Sequence, residues 1–213
     1  VAKNYHSDQE AWWATVGGDE HANGQLRTPA DVDRDYSRLC GIKQSEMLPA
    51  LIGPAIGPIL EVGCGHGDQL NILSEHGYGD LWGVDISDEA VVRAMTHRRD
   101  LRIELGSAYD LPLSGPFAVV YTCGLLIHQP PEHVMEVIRE ILRVTEATGR
   151  ICGVEYWTPE FAERIASRTW SGPYAALYQK ADPTLRMVRE DRYPMTGDGG
   201  IVEFFALERP SGS

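Results

Sequence analysis

The chain has no basic run, and its 31 Asp and Glu residues outnumber 19 Lys and Arg for a formal net charge of −12. Surfaces that grip phosphate backbones are basic, so nucleic acid is excluded as the main partner. No apolar stretch is long enough to span a bilayer, and no leader pattern is present, so no membrane association is expected. Cysteine is sparse. Cys40, Cys64, Cys123 and Cys152 lie far apart, with no C-x-x-C pair and no His cluster beside them. That spacing argues against disulfides and against a metal site, and for reduced thiols in the cytoplasm. Internal repeats and low-complexity segments are missing too. So are the G-x-G-x-x-G spacing and the Tyr-x-x-x-Lys pair that a nicotinamide-dependent oxidoreductase would need.

What is present is an ordinary globular composition, 43% hydrophobic and 23% charged over 213 residues, enough for one domain with a full core and a small lid. The organising stretch is Pro58 to Gly67, P-I-L-E-V-G-C-G-H-G. Ile59, Leu60 and Val62 predict a short strand buried on both faces, and Asp68 to His76 predicts a helix. Glycines at 63, 65 and 67 let the backbone approach a ligand, where the helix also presents free N–H groups and its positive dipole end. Glu61, two residues before the first glycine, suits an ammonium or sulfonium better than a diphosphate. The spacing resembles the first motif of the Rossmann-like S-adenosylmethionine-dependent methyltransferases, E/D-x-G-x-G-x-G.

Along the chain, Tyr5, Trp12 and Trp13 precede Gly17-Gly18-Asp19-Glu20-His21. They read either as a helix capping the core or as a lid that keeps water from a small-molecule pocket. Asp31 to Leu51 reads as one helix, closed by Gly53-Pro54 and Gly57-Pro58. Strands and helices then alternate, as in a parallel α/β sheet. Leu81 to Val84 forms a strand ending on Asp85. A helix capped by Ser87 follows, with Ala90, Val91, Ala94 and Met95 on its apolar face. Asp85 lies about 20 residues past the glycine turn, where such folds place an acid on a ribose; the alternative is a solvated helix-flanking acid. Strands are expected at Leu101 to Leu105, Phe117 to Tyr121 and Arg150 to Val154. A helix opened by Pro130 and Pro131 is expected to bury Val134, Ile138, Ile141, Leu142 and Thr145. In the loop after the third strand, Ser107 stands where many such methyltransferases carry an acid for the adenine, so Ser107 and the Ala108 backbone are the candidates; Asp110 reads equally as a turn residue. Beyond Pro159, helices are expected at Phe161 to Arg168 and Tyr174 to Lys180. Strands at Leu185 to Tyr193 and Ile201 to Glu208 follow, joined by a Gly197-Asp198-Gly199-Gly200 turn.

With these segments placed, the chain resembles the methylases associated with pseudaminic acid biosynthesis. Gln9-Glu10-Ala11-Trp12-Trp13 and Gly18-Asp19-Glu20 are similar to that family's Q-E-x-x-W…G-D-E opening. Gly106-Ser107 through Asp110-Leu111-Pro112 matches G-S-x-x-D-L-P. Gly124 to His128 matches G-x-L-I-H, and Glu155-Tyr156 with Pro159 matches E-Y-x-x-P. The resemblance implies a three-layer α/β sandwich: a mostly parallel seven-stranded sheet ending in an antiparallel strand pair, plus an N-terminal helical lid. Residues 1–57 would form the lid and 58–213 the methyltransferase domain, with a substrate-facing insert around 157–183.

The implied chemistry is methyl transfer from S-adenosylmethionine to an oxygen or nitrogen of a small polar metabolite, such as a sugar or a natural-product intermediate. Glu61, Gly63, Cys64 and Gly65 would surround the methionine part, Asp85 and Ile86 the ribose and adenine, and Cys123 the strand edge beside the sulfur. Ser107, Ala108, Trp12 and Trp13 complete the cofactor set. His128 is the first candidate for a general base and Glu155 the second, while Tyr156 and Trp157 would wall the substrate. Arg164 and Arg168, four apart on an expected helix, would share one face. A monomer or homodimer is expected. The competing readings are a nicotinamide-dependent oxidoreductase and a non-catalytic S-adenosylmethionine-binding module.

Overall fold

The computed structural model describes residues 7–15, 26–55, 57–164, 169–197 and 199–210. Tyr5, the Gly17 to His21 stretch, Arg168 and Asp198 lie outside the described residues. Seven strands form one sheet: β1 (Ile59–Val62), β2 (Leu81–Asp85), β3 (Arg102–Leu105), β4 (Phe117–Cys123), β5 (Thr145–Trp157), β8 (Arg186–Pro194) and β9 (Ile201–Glu208). Their order is β3-β2-β1-β4-β5-β9-β8. The first five strands are parallel, and β9 runs antiparallel to both β5 and β8. This is the seven-stranded α/β sheet ending in an antiparallel strand pair that the sequence predicts.

Every residue of β1 is buried because helices cover both sheet faces. Successive side chains alternate between the two sides. Ile59 joins a cluster with Val32, Leu48, Leu51 and Ile52, contributed by α2 (Pro29–Cys40) and α3 (Gln44–Ile52). Leu60 and Val62 join the opposite cluster, with Val137, Ile138 and Ile141 of α6 (Val134–Val144) and Tyr174 and Tyr178 of α7 (Tyr174–Ala181). Each such aliphatic side chain contributes about 1.5–3 kcal/mol when fully buried. The sheet's first half is joined by α4 (Asp68–Glu75) and α5 (Asp88–His97).

Four expectations are corrected. The single helix over Asp31 to Leu51 is two, because Gly41 adopts a left-handed φ of 77° and ends α2. On α5, Ala90, Val91 and Ala94 are buried, but Met95 is 56% exposed. The buried face of α6 carries Val137 and Val144, with Leu142 only half-buried; Thr145 caps the helix and already begins β5, which continues to Trp157. The expected helix over Phe161 to Arg168 is instead a hairpin, β6 (Ala162–Arg164) against β7 (Thr169–Ser171). Arg164 therefore sits in a strand, and Arg168, its expected helical partner, lies outside the described residues.

Candidate active site

The glycine turn leaves β1 with φ values of 76° at Gly63, 51° at Gly65 and 73° at Gly67. At Gly63 a Cβ would meet Leu125 Cδ1 at 2.9 Å, so the cradle admits no side chain there. The Gly63 and Cys64 amides donate to the Val84 carbonyl at 2.7 and 3.1 Å. Asp85, at the end of β2, accepts from the Gly65 amide at 2.8 Å and from the Ser87 amide at 2.9 Å. The acid therefore ties the turn to its neighbouring strand.

A cavity of about 290 Å³ opens at this edge of the sheet, lined in part by Trp13, Glu61, Gly63, Cys64, Gly65, Asp85, Ile86, Ala108, Cys123 and His128. These ten come from five separate stretches of chain. Strand ends on either side of β1 supply Asp85 and Cys123, the crevice where open α/β sheets receive ligands.

Glu61 faces Tyr121 across the β1–β4 register, and the Tyr121 hydroxyl donates to its Oε2 at 3.0 Å. Burial pushes the Glu61 pKa well above the ordinary carboxylate range, against the pull of the Tyr121 hydroxyl and the Leu70 amide. Its hydrogen-bond partners are thus neutral donors, and a cationic ligand would offset the desolvation. Burial, followed by the Glu61 charge, likewise pushes the Cys123 thiol up. The Tyr36 hydroxyl lies 3.0 Å from its Sγ. Cys64 is buried and its thiol also raised. Neither cysteine is a thiolate nucleophile; both are small contact surfaces.

Helix α1 (Asp8–Trp13), capped by Ser7, reaches over the opening and places Gln9, Glu10 and Trp13 in the lining. The Trp13 ring meets His128 edge-on, with centroids 4.4 Å apart. Trp12 does not line the cavity; it packs edge-on against Trp13 at 5.0 Å. Ser107 is also absent from the lining. Its hydroxyl donates to the Glu10 carboxylate and accepts from the Tyr109 amide at 3.0 Å, so it fastens α1 to the loop after β3. Asp110 is exposed and belongs to the turn closed by the Ser107–Asp110 bridge.

Glu155, Tyr156 and Trp157 are the larger corrections, since none of them lines the cavity. Glu155 is 1% exposed. It accepts from the Thr122 hydroxyl at 2.7 Å and from the Leu126 and Ile127 amides at 3.2 Å each. It therefore anchors the short 3-10 turn, Leu126–His128, that carries His128. Burial raises its pKa to about 7, despite the Thr122 hydroxyl and three backbone amides that favour the charge. Trp157 instead stacks under Arg192, whose guanidinium carbon is 3.8 Å from the ring centroid. Tyr156 is half-buried among core side chains, and its carbonyl accepts from the Gly172 amide at 3.0 Å. The segment beyond it packs on the α6–α7 side, with Phe161 against Tyr174.

Several lining residues have no counterpart in the sequence reading: Arg27, Tyr36, His66, Asp68, Gln69, Tyr109 and Gln129. Arg27 Nε and Arg98 Nη2 donate to the two oxygens of Asp68, at 2.8 and 2.9 Å. Arg98 also donates to the backbone carbonyls of His66 and Arg27 at 3.1 and 2.9 Å. The segment before α2 is thereby clamped to the glycine turn. An arginine followed by a helix N-cap was the sole local sign. No helix among the described residues is long and apolar enough to cross a membrane.

Residues 59–149 match the model of a methyltransferase domain. The chain is 29% identical over 134 residues to an uncharacterized methyltransferase of Staphylococcus carnosus, covering 62% of this chain and 59% of that protein. It is 27% identical over 156 residues to 24-methylenesterol C-methyltransferase 2 of Oryza sativa subsp. japonica, covering 64% of this chain and 40% of that one. The chain thus spans about half the length of these relatives. Among solved structures, the Burkholderia thailandensis 1,6-didemethyltoxoflavin-N1-methyltransferase, with S-adenosylhomocysteine bound, superposes with a TM-score of 0.72 at 18% identity, over 99% of this chain and 94% of that one. Geranyl diphosphate C-methyltransferase of Streptomyces coelicolor gives 0.73 at 13% identity, over 97% and 100% of the two chains. The [4+2]-cyclase SpnF gives 0.72 at 12%, over 100% and 98%. At such identities the likeness is one of fold. The comparisons thus give a methyltransferase-domain match over residues 59–149 and a fold shared with these solved structures.

Proposed function

We propose that this protein transfers the methyl group of S-adenosylmethionine to an oxygen or nitrogen of a small polar metabolite. The observation that carries the reading is Glu61: a buried carboxyl with neutral partners, at the foot of a glycine turn and beside Asp85, inside a methyltransferase domain. A desolvated carboxyl of this kind fits a ligand that brings positive charge. S-adenosylmethionine, when bound, supplies a methyl group made electrophilic by its sulfonium. The protein's task is then to align the acceptor and to remove its proton, and alignment alone can supply roughly 7–11 kcal/mol of the barrier. Gly63 to Gly65 give close backbone approach, while Asp85 offers carboxylate lone pairs to ribose hydroxyls. His128 receives the acceptor's proton. Trp13 and α1 keep water from the reacting atoms.

Residues 1–57 act as the lid over a methyltransferase domain of residues 58–213, in a cytoplasmic monomer or homodimer. The wide separation of the four cysteines, none of them paired with another, supports that location. A sugar or natural-product intermediate is the acceptor class, supported by the pseudaminic acid methylase-like stretches from Gln9 to Trp13 and Gly124 to His128. Titration with S-adenosylhomocysteine against NAD tests the cofactor, and binding of NAD alone would refute it. Turnover with candidate acceptors, read as S-adenosylhomocysteine release, tests the reaction. Cofactor binding without turnover on any acceptor would leave a binding module in its place.

A further inference from the structure

Four carboxyl side chains line the cavity, those of Glu10, Glu61, Asp68 and Asp85, against one arginine or lysine among the described lining residues, Arg27. Arg27 is matched within the chain: its Nε donates to Asp68 at 2.8 Å and its Nη1 to Asp35 at 3.4 Å. Glu10 accepts from the Ser107 hydroxyl, and Asp85 from the Gly65 and Ser87 amides, donors that carry no formal charge. With Glu61 counted as protonated, Glu10, Asp68 and Asp85 still outnumber Arg27 on the wall. A cleft lined mainly by one sign of charge concentrates its field on whatever enters.

Two buried amide oxygens at this wall also lack a donor. Gln69 lines the cavity at 7% exposure, and its Oε1 has no hydrogen-bond partner. Gln44, at the start of α3 and fully buried, sets its Nε2 3.6 Å from the Cys123 Sγ and leaves its Oε1 equally open. Open acceptors call for a ligand that brings donors. The negative field extends to the end of β4, next to the turn that carries His128. At Cys123 burial is the first cause lifting the thiol, and the charges of Glu61 and Glu155 push the same way. At Tyr109, on the far side of that turn, burial is again followed upward by Glu10, Glu136 and Glu132. Such a cavity admits a cation readily, whereas an anion would lose its water and meet like charge.

We infer that the methyl acceptor is an amine that enters as its ammonium, so that nitrogen rather than oxygen receives the methyl group. The inference rests on the proposed methyl-donor reading and narrows its acceptor; an amino sugar or an amine-bearing natural-product intermediate satisfies it. The ammonium gives one proton to His128. The lone pair so released forms the N–C bond as the S–C bond breaks, and the electron pair of that bond stays on sulfur. Sulfur becomes neutral and the positive charge passes to the N-methylammonium product. The charge therefore moves between two atoms inside one anionic wall and is never annihilated there. An alcohol would end as a neutral ether, giving up the cation that the wall favours. A carboxylate or phosphate acceptor would enter against the field.

Two measurements on the full chain test this. Calorimetric titration compares S-adenosylhomocysteine with sinefungin, which carries an amine where the methyl donor carries its S-methyl group. Turnover with S-adenosylmethionine, read as S-adenosylhomocysteine release and as the mass of the methylated product, compares two matched sets: glucosamine, glucose and glucuronate, then benzylamine, benzyl alcohol and benzoate. Sinefungin is expected to bind about tenfold tighter or more, the gain of a charge-assisted contact. Each amine is expected to exceed its alcohol about tenfold or more in kcat/KM, with no methylation of either acid. Sinefungin binding no tighter than S-adenosylhomocysteine would overturn the inference. Methylation of an alcohol or an acid as fast as its matched amine, or of neither amine, would overturn it too, while binding of S-adenosylhomocysteine left the methyl-donor reading standing. Failure of both nucleoside ligands to bind would refute that reading, and the inference with it.

Discussion

Replacing Glu155 by glutamine removes one titration from the buried centre of the sheet while keeping the side chain's shape. In the folded protein burial lifts the Glu155 pKa from the ordinary 4.5 to about 7. Folded Glu155 therefore holds its proton more tightly than the unfolded chain does. Its favourable contribution is fully present below pH 4.5, declines as pH rises through about 7, and is constant above that. At ~1.4 kcal/mol for each tenfold change in proton affinity, the span corresponds to about 3 kcal/mol. Urea unfolding of wild type and Glu155→Gln from pH 4.5 to pH 8 reads it directly. The wild type should lose about 3 kcal/mol relative to the variant across that interval and nothing further above it. Glu203, also lifted to about 7 by burial, titrates in both proteins, so the subtraction removes most of its effect. Glu155→Ala serves as the contrast. It leaves the Thr122 hydroxyl and the Leu126 and Ile127 amides without their acceptor, so it destabilises at every pH, by about 1–3 kcal/mol for each donor stranded. A wild-type-minus-glutamine difference that stays flat, or grows with pH, would mean that the donors outweigh burial and that the reasoning is wrong.

Asp85→Ala should weaken S-adenosylhomocysteine by about 1.5–3 kcal/mol, roughly 10- to 150-fold, in a calorimetric titration. Because Asp85 also holds the Gly65 amide, part of that loss should appear as lower thermal stability of the free protein. His128→Ala should lower turnover about a hundredfold or more while the cofactor dissociation constant stays within about twofold; normal turnover would leave His128 a wall of the cavity. Gly153→Ala probes the core rather than the site. Its new Cβ would lie 2.3 Å from the Phe205 ring, so a loss of about 1–3 kcal/mol in urea unfolding is expected, and a neutral outcome would mean the ring can withdraw freely.

Local pattern was enough for the elements whose identity depends on neighbours in sequence. The glycine turn, the Ser87 cap and the short apolar strands were legible because strain, capping and period-two burial act within a few residues. Boundaries failed where one residue overrode a longer pattern, as Gly41 does between α2 and α3. Side-chain direction failed at the end of β5. Glu155, Tyr156 and Trp157 read alike as residues at a strand's active edge. Pairing with β9 sets Glu155 opposite Glu203 and Trp157 opposite Ile201, and decides what each faces. Contacts across large separations left no sequence mark: Ser107 meets Glu10 from 97 residues away, and Arg27 meets Asp68 from 41.

By itself the sequence determined the alternation of strands and helices from β1 to β5, the final antiparallel pair and the carboxyl-flanked glycine cradle, because each is set by short-range sterics and periodic burial. Only the tertiary structure decided which polar groups converge on the cavity. Register and packing chose the direction of each side chain, turning Glu155 inward as an anchor and bringing Arg27, Gln69 and Glu10 to the cavity wall.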